Sequence, residues 1–216
     1  MSLSKAKKPT AIKKRLKFFV YGPAGVGKTT AALHFPAPVM VDTEGGSEND
    51  AYVDLLTKGG GIYLGPREGA SNYDTIHALV LDLLSKKHPY KTLILDPLTV
   101  VYNQLVDAEA DVVGTEFGRH KVGPDRKMKA LMILLTRLDM NVVITSHAKP
   151  KWVRTRDANG KDTIAQGGMT FDCYAKMDYL FDLAFFIEKR GKDRFAFVMK
   201  TRVEGFPEGA LIPWSY

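Results

Sequence analysis

An α/β fold, with a mainly parallel central sheet flanked by helices and an antiparallel C-terminal extension, follows from three features of the sequence. Short apolar runs alternate with helix-prone segments, the first run opens into a glycine loop, and the last two runs are joined by a hairpin signal. With 216 residues, 45% of them hydrophobic, the chain is long enough to bury one substantial core, and a single domain over residues 16–216 is expected behind a basic arm at residues 1–15.

The elements follow in order. Residues 16–21 form a β-prone run that stops at the glycine loop, and residues 29–35 are helix-prone. Residues 38–42 read as a second buried strand, ended by the turn residues Gly45 and Gly46. Residues 73–84 place Tyr73, Ile76, Val80, Leu83 and Leu84 on one helical face. Residues 92–96 are apolar up to the final Asp96, as in a parallel strand covered on both sides, and residues 141–146 repeat the pattern after the apolar-periodic segment 128–138. Residues 149–168 read as a long polar loop with a turn at 157–160. Residues 179–188 and 194–201 are strand-like and flank the hairpin signal Arg190-Gly191-Lys192-Asp193.

Charge is distributed unevenly. The chain has 31 Lys and Arg against 24 Asp and Glu. That surplus of seven is matched by Lys5, Lys7, Lys8, Lys13, Lys14, Arg15 and Lys17, with no acid among them. Such an arm suits nucleic acid, an acidic partner, or a solvated leader. The lone Cys173 excludes an internal disulfide framework, no Cys/His cluster has zinc spacing, and no apolar run approaches a membrane span. A cytoplasmic protein with no membrane partner is expected.

Gly22-Pro23-Ala24-Gly25-Val26-Gly27-Lys28-Thr29, followed by Thr30, has the spacing of a phosphate loop and sits between a β-run and a helix, the context that makes the motif specific. Glycines allow successive N–H groups to turn inward onto a phosphate, and the helix that follows presents its positive end to the same anion. Lys28 is expected to bridge the β- and γ-phosphates of ATP, with Thr29 on Mg²⁺. Asp96 is expected to hold Mg²⁺ through water; the alternative is a cap at the Asp96-Pro97 turn. Because Pro97 follows Asp96, no adjacent Asp-Glu pair supplies a water-activating carboxylate. Glu44, closing the second strand, is the leading candidate base, with Asp42 as the alternative.

These motifs, in the order phosphate loop, Val41-Asp42-Thr43-Glu44, apolar strand ending in Asp96, apolar strand ending in Ser146-His147, resemble the RecA-like core of P-loop NTPases over residues 16–205. They look closest to its small phage-encoded AAA-type members, which resemble single-strand-annealing recombinases. The resemblance implies a catalytic role for Glu44 and a γ-phosphate sensor at His147, where the family commonly carries Gln or Asn; a merely packed or solvent-facing histidine is the alternative. Lys200 and Arg202 resemble the basic finger inserted into a neighbour's nucleotide site, with an ordinary solvated strand pair as the alternative.

The segment after His147 carries Lys149, Lys151, Trp152, Arg154 and Arg156, a mixture suited to phosphate contact and base stacking. The resemblance makes single-stranded DNA the expected partner, with a solvated β-hairpin whose basicity Asp157 and Asp162 partly offset as the alternative, and residues 114–129 are expected to form a second loop on the same channel. The expectation is an ATP- and Mg²⁺-dependent ATPase, assembled as a ring or filament, that anneals or exchanges DNA strands. A helicase-like or loading motor and a nucleotide-gated DNA-binding protein with little turnover are the rivals; a small-molecule phosphotransferase fits less well.

Overall fold

The computed structural model describes residues 15–156 and 160–215. The basic arm before Arg15 and most of the turn expected at 157–160 lie outside the described residues.

The core of the sheet is built from strands β1 (Lys17–Gly22), β2 (Pro38–Asp42), β4 (Thr92–Asp96) and the first part of β5 (Asn141–Arg156), with β3 (Ile62–Leu64) at one edge. β6 (Asp162–Phe171), β7 (Leu183–Arg190), β8 (Asp193–Thr201) and β9 (Leu211–Pro213) complete it. The order is β3-β2-β4-β5-β1-β7-β8-β9, with β6 paired to β5 alone. All pairs from β3 to β7 are parallel, and β7-β8 and β8-β9 are antiparallel. The expected parallel sheet with an antiparallel extension is therefore present.

Strand alternation sorts the apolar residues onto two faces. Phe19, Val41, Leu95 and Ile144 face α3 (Tyr73–Ser85), α4 (Leu98–Val113) and α5 (Val122–Arg137). Val20, Met40, Ile94 and Val143 face the side of α1 (Lys28–Leu33) and α2 (Asp50–Lys58). Both layers are closed, because each of these eight side chains is 0% exposed. Carboxyl ends of four parallel strands thus converge on one rim, where loops are free to carry chemistry.

Five sequence expectations change. The segment expected as a polar loop at 149–168 is mostly an antiparallel hairpin: β5 runs on past the sheet rim to Arg156 and β6 returns beside it, from Arg156 opposite Asp162 to Ala148 opposite Phe171. Its alternation of Lys, Arg and Thr satisfies strand geometry although it buries little. Most of 114–129 is helical, with a 3₁₀ turn at Glu116–Lys121 leading directly into α5. Tyr179 lies in a 3₁₀ turn at Met177–Leu180, and β7 begins only at Leu183. α2 and β3 were not legible from periodicity. Lys17 belongs to the core: it is 8% exposed, and its Nζ donates to Leu138 O at 2.9 Å and Met140 O at 2.6 Å.

Candidate nucleotide site

The turn after β1 needs its glycines for two distinct reasons. A Cβ on Gly22 would stand 2.4 Å from Ile187 O of the neighbouring strand, so only glycine permits the close approach of β1 and β7 there. Gly27, with φ of 87°, precedes α1 in the left-handed region and turns the chain into the helix. Lys28 follows at the start of α1 and folds back under the loop, its Nζ donating to Gly22 O at 2.9 Å and Pro23 O at 2.8 Å. Burial pushes the Lys28 pKa down, against the pull of Asp96 and Glu44.

Asp96 ends β4 beside this loop and is 6% exposed. Burial drives its pKa up, while hydrogen bonds from Thr145 and Thr29 and the charge of Lys28 work the other way. Its carboxylate makes no cap on α4, whose N-cap is Pro97 without a side-chain bond, so the capping alternative is not what the geometry shows. Instead Asp96 accepts a hydrogen bond from the Thr29 side chain at the start of α1.

The neighbouring strand end is organised by Asp42. Oδ1 of this buried carboxylate accepts from the N–H of Glu44 at 3.1 Å and Gly45 at 2.8 Å, and Oδ2 from the N–H of Ser47 at 2.6 Å. Tyr63 OH adds a fourth donor at 3.3 Å. With its lone pairs committed, Asp42 shapes the turn, and Glu44 is the carboxylate that the turn projects. Thr43 locks the two strand ends together, donating its N–H to Asp96 O and its hydroxyl to Pro97 O.

Glu44 Oε1 lies 3.2 Å from His147 Nε2. His147 is set where β5 leaves the sheet, and there its N–H donates to Thr99 Oγ1 at 2.9 Å and its carbonyl accepts the N–H of Asp172 at 2.9 Å. Asp172 in turn accepts from Lys149 Nζ at 2.7 Å and Asn103 Nδ2 at 3.2 Å; burial raises its pKa, but these bonds outweigh it and hold the carboxyl below its ordinary range. Lys28, Thr29, Glu44, Asp96 and His147 line one cavity of about 240 Å³ together with Ala24 and Gly25 of the loop.

The family model described as an AAA domain matches residues 14–206. The chain belongs to this family. Its fold is shared with the RadB recombinase, at 18% identity and a TM-score of 0.57 over 92% of this chain and 86% of that one. A KaiC-like protein from the hyperthermophilic archaeon Pyrococcus horikoshii OT3 is similar at 12% identity, a TM-score of 0.51 and coverage of 93% and 85%. No curated protein matches the sequence.

In this AAA-domain chain the phosphate loop, Asp96, Glu44 and His147 come together, whereas Lys200 and Arg202 do not join them. Thr201 is level with Leu183, and Leu183 with Phe18, four residues before Gly22 on β1. Lys200 Nζ donates to Asp178 O, and Arg202 Nη2 to Tyr179 O at 3.2 Å, while Arg202 Nη1 lies 3.7 Å from Asp182 Oδ1. Thr30 lies outside the cavity, with its hydroxyl 3.4 Å from Tyr52 OH. Tyr52 and Ser47 line the cavity and Thr145 and Thr99 brace it, yet none was singled out from sequence. A buried Thr at the end of an apolar strand was the available signal for Thr145.

On the hairpin, cross-strand pairs place Trp152 opposite Gln166, Arg154 opposite Ile164 and Arg156 opposite Asp162. Alternation puts these six side chains on one face. Trp152 is 65% exposed and Ile164 67%, an apolar surface flanked by cations. Lys149 is committed to Asp172, and Lys151 sits at the bulge between Pro150 and Trp152. Among the described residues no helix is long and apolar enough to cross a membrane.

Proposed function

We propose that the chain binds and hydrolyses MgATP and uses that cycle to act on single-stranded DNA, promoting annealing or strand exchange in recombination of the kind phage-encoded proteins carry out. The observation that carries this reading is the convergence of Lys28, Thr29, Asp96, Glu44 and His147 on one cavity whose wall, at His147, continues directly into the basic, aromatic hairpin.

The residues fit the ligand. The glycine loop offers backbone N–H groups, Lys28 supplies a desolvated cation, and Asp96, buried with Thr29 beside it, gains most from a second positive charge. Among the described residues no three His, Cys, Asp or Glu side chains form a metal cage, so Mg²⁺ would be held by Thr29 and Asp96 together with phosphate oxygens. When bound, the ion neutralises charge on the phosphates. Glu44 accepts a proton from the attacking water, and Lys28 stabilises charge on the γ-phosphoryl oxygens. His147 holds Glu44 before nucleotide arrives. The pair is 42% and 46% exposed, so it contributes at most about 1 kcal/mol and yields readily to a phosphate.

Trp152 stacks on bases while Arg154 and Arg156 neutralise phosphates. A second copy completes the nucleotide site, with Lys200 and Arg202 as that copy's contribution. Phosphate release from MgATP, measured with and without oligodeoxythymidylate, tests the reading. DNA should raise the rate in the parent but not in Trp152→Ala/Arg154→Ala, which keeps the basal rate. A parent rate indifferent to DNA would remove the DNA half of the proposal.

A further inference from the structure

The end of the sheet opposite the phosphate loop carries a second concentration of positive charge. Arg15 before β1, Lys86, Lys87 and Lys91 between α3 and β4, and Arg137 in the last turn of α5 line a cavity of about 500 Å³. All five are exposed. Asp139 is the one acid in this lining, and it is paired with Arg15 at 3.3 Å. Lys86 is paired with Asp82 at 2.7 Å. Among the described residues Lys87, Lys91 and Arg137 form no ion pair with a carboxylate.

Helix ends explain part of this charge. α3 and α5 both finish here, and cations in a last turn favour a helix's carbonyl end, which accounts for Arg137. Lys87 and Lys91 lie beyond either helix and have no such role. They flank His88 and Tyr90, whose rings stack with centroids 5.9 Å apart and planes 21° apart. His88 Nε2 is 3.0 Å from Leu83 O, while its buried Nδ1 has no partner. Tyr90 also lines the cavity, so cations and a paired aromatic surface occur together, the combination that holds a polynucleotide rather than a simple anion. Five more lysines precede Arg15 in the sequence.

We propose that this cavity is a second nucleic-acid site, gripping the phosphate backbone of a DNA strand at the amino-terminal ends of the parallel strands. The length of β4 from Thr92 to Asp96 separates it from the nucleotide pocket by about 15 Å. It is distinct from the hairpin, so one subunit holds two strands or two stretches of one strand. Annealing and exchange both require that.

The test is the salt dependence of binding to fluorescein-labelled oligodeoxythymidylate, read by anisotropy on the full chain. Neutralising two phosphate contacts in Lys87→Ser/Lys91→Ser should flatten the slope of log K against log salt by about 1.4, and MgATP affinity should stay at the parent value. In the Trp152→Ala/Arg154→Ala background, which weakens the hairpin contact, residual DNA affinity at low salt should fall at least fivefold when Lys87→Ser/Lys91→Ser is added. An unchanged slope overturns the second site, as does the absence of any residual affinity in the hairpin variant. Loss of polyglutamate binding without loss of DNA binding would assign the surface to an acidic protein instead. The hairpin reading fails separately, if Trp152→Ala/Arg154→Ala binds DNA as the parent does.

Discussion

The carboxylate of Glu44 and the ring of His147, 103 positions apart in the chain, meet at 3.2 Å across the mouth of the phosphate cavity. Glu44 lies in the turn after β2 and His147 ends the sheet portion of β5, so their contact joins the carboxylate proposed to activate water to the root of the hairpin. The His147 carbonyl also accepts the main-chain N–H of Asp172, whose carboxylate anchors Lys149. His147→Ala should therefore bind MgATP as the parent does but lose most of the DNA stimulation of phosphate release, whereas His147→Gln, which keeps a donor toward Glu44, should retain part of it. Paired titrations of rate against DNA concentration check this.

Asp42 is a structural residue in the same site. Asp42→Ala removes the acceptor for three backbone N–H groups and should cost on the order of 3 kcal/mol in urea unfolding. Turnover should also fall, because the turn carrying Glu44 loses its anchor. Asp42→Asn, which keeps one acceptor oxygen, should recover about half of the stability.

Lys17 predicts a pH effect on folding. Burial lowers its pKa to about 8, against the opposing pull of Asp182 and Asp139, from an unfolded value near 10.5. Between these values the unfolded chain holds the proton and the folded chain has released it, so this group makes stability rise with pH from about 8 to about 10.5. Subtracting the unfolding free energy of Lys17→Met from that of the parent at each pH isolates the contribution. The difference should climb across the window; a flat or falling difference contradicts the assignment.

Arg202 is half-exposed and stands away from its own chain's phosphate loop. If it serves a neighbour, Arg202→Ala lowers turnover at least tenfold with MgATP affinity per chain unchanged. Mixing it with the equally inactive Lys28→Ala should restore activity, since some interfaces then pair an intact loop with an intact arginine. Full activity of Arg202→Ala alone would remove the shared site.

The sheet was legible because its strands are continuously apolar and end in the polar residues that matter, as at Asp96 and His147. The phosphate loop was legible because glycine spacing and a following helix are local properties. Helix α2 escaped because it has no buried residue, and β3 because it is three residues long and partly exposed. The hairpin read as a loop because β5 changes from wholly buried to solvated in mid-strand, and periodicity reports burial before it reports backbone pairing. Lys17 read as part of a basic arm because charge alone does not reveal that two carbonyl groups, more than 120 positions away, await its ammonium. Lys200 lies in β8 and Arg202 just beyond its end, but whether a cation serves its own chain or a neighbour is a property of assembly.

The most direct measurement of the central claim is a pair of readings on Glu44→Gln: the affinity for MgATP by calorimetry and the rate of phosphate release at saturating MgATP. Affinity within a factor of about three of the parent, with turnover reduced on the order of a hundredfold or more, is the expected result. Parent-level turnover by this variant would contradict the account, because water would then be activated by some other group.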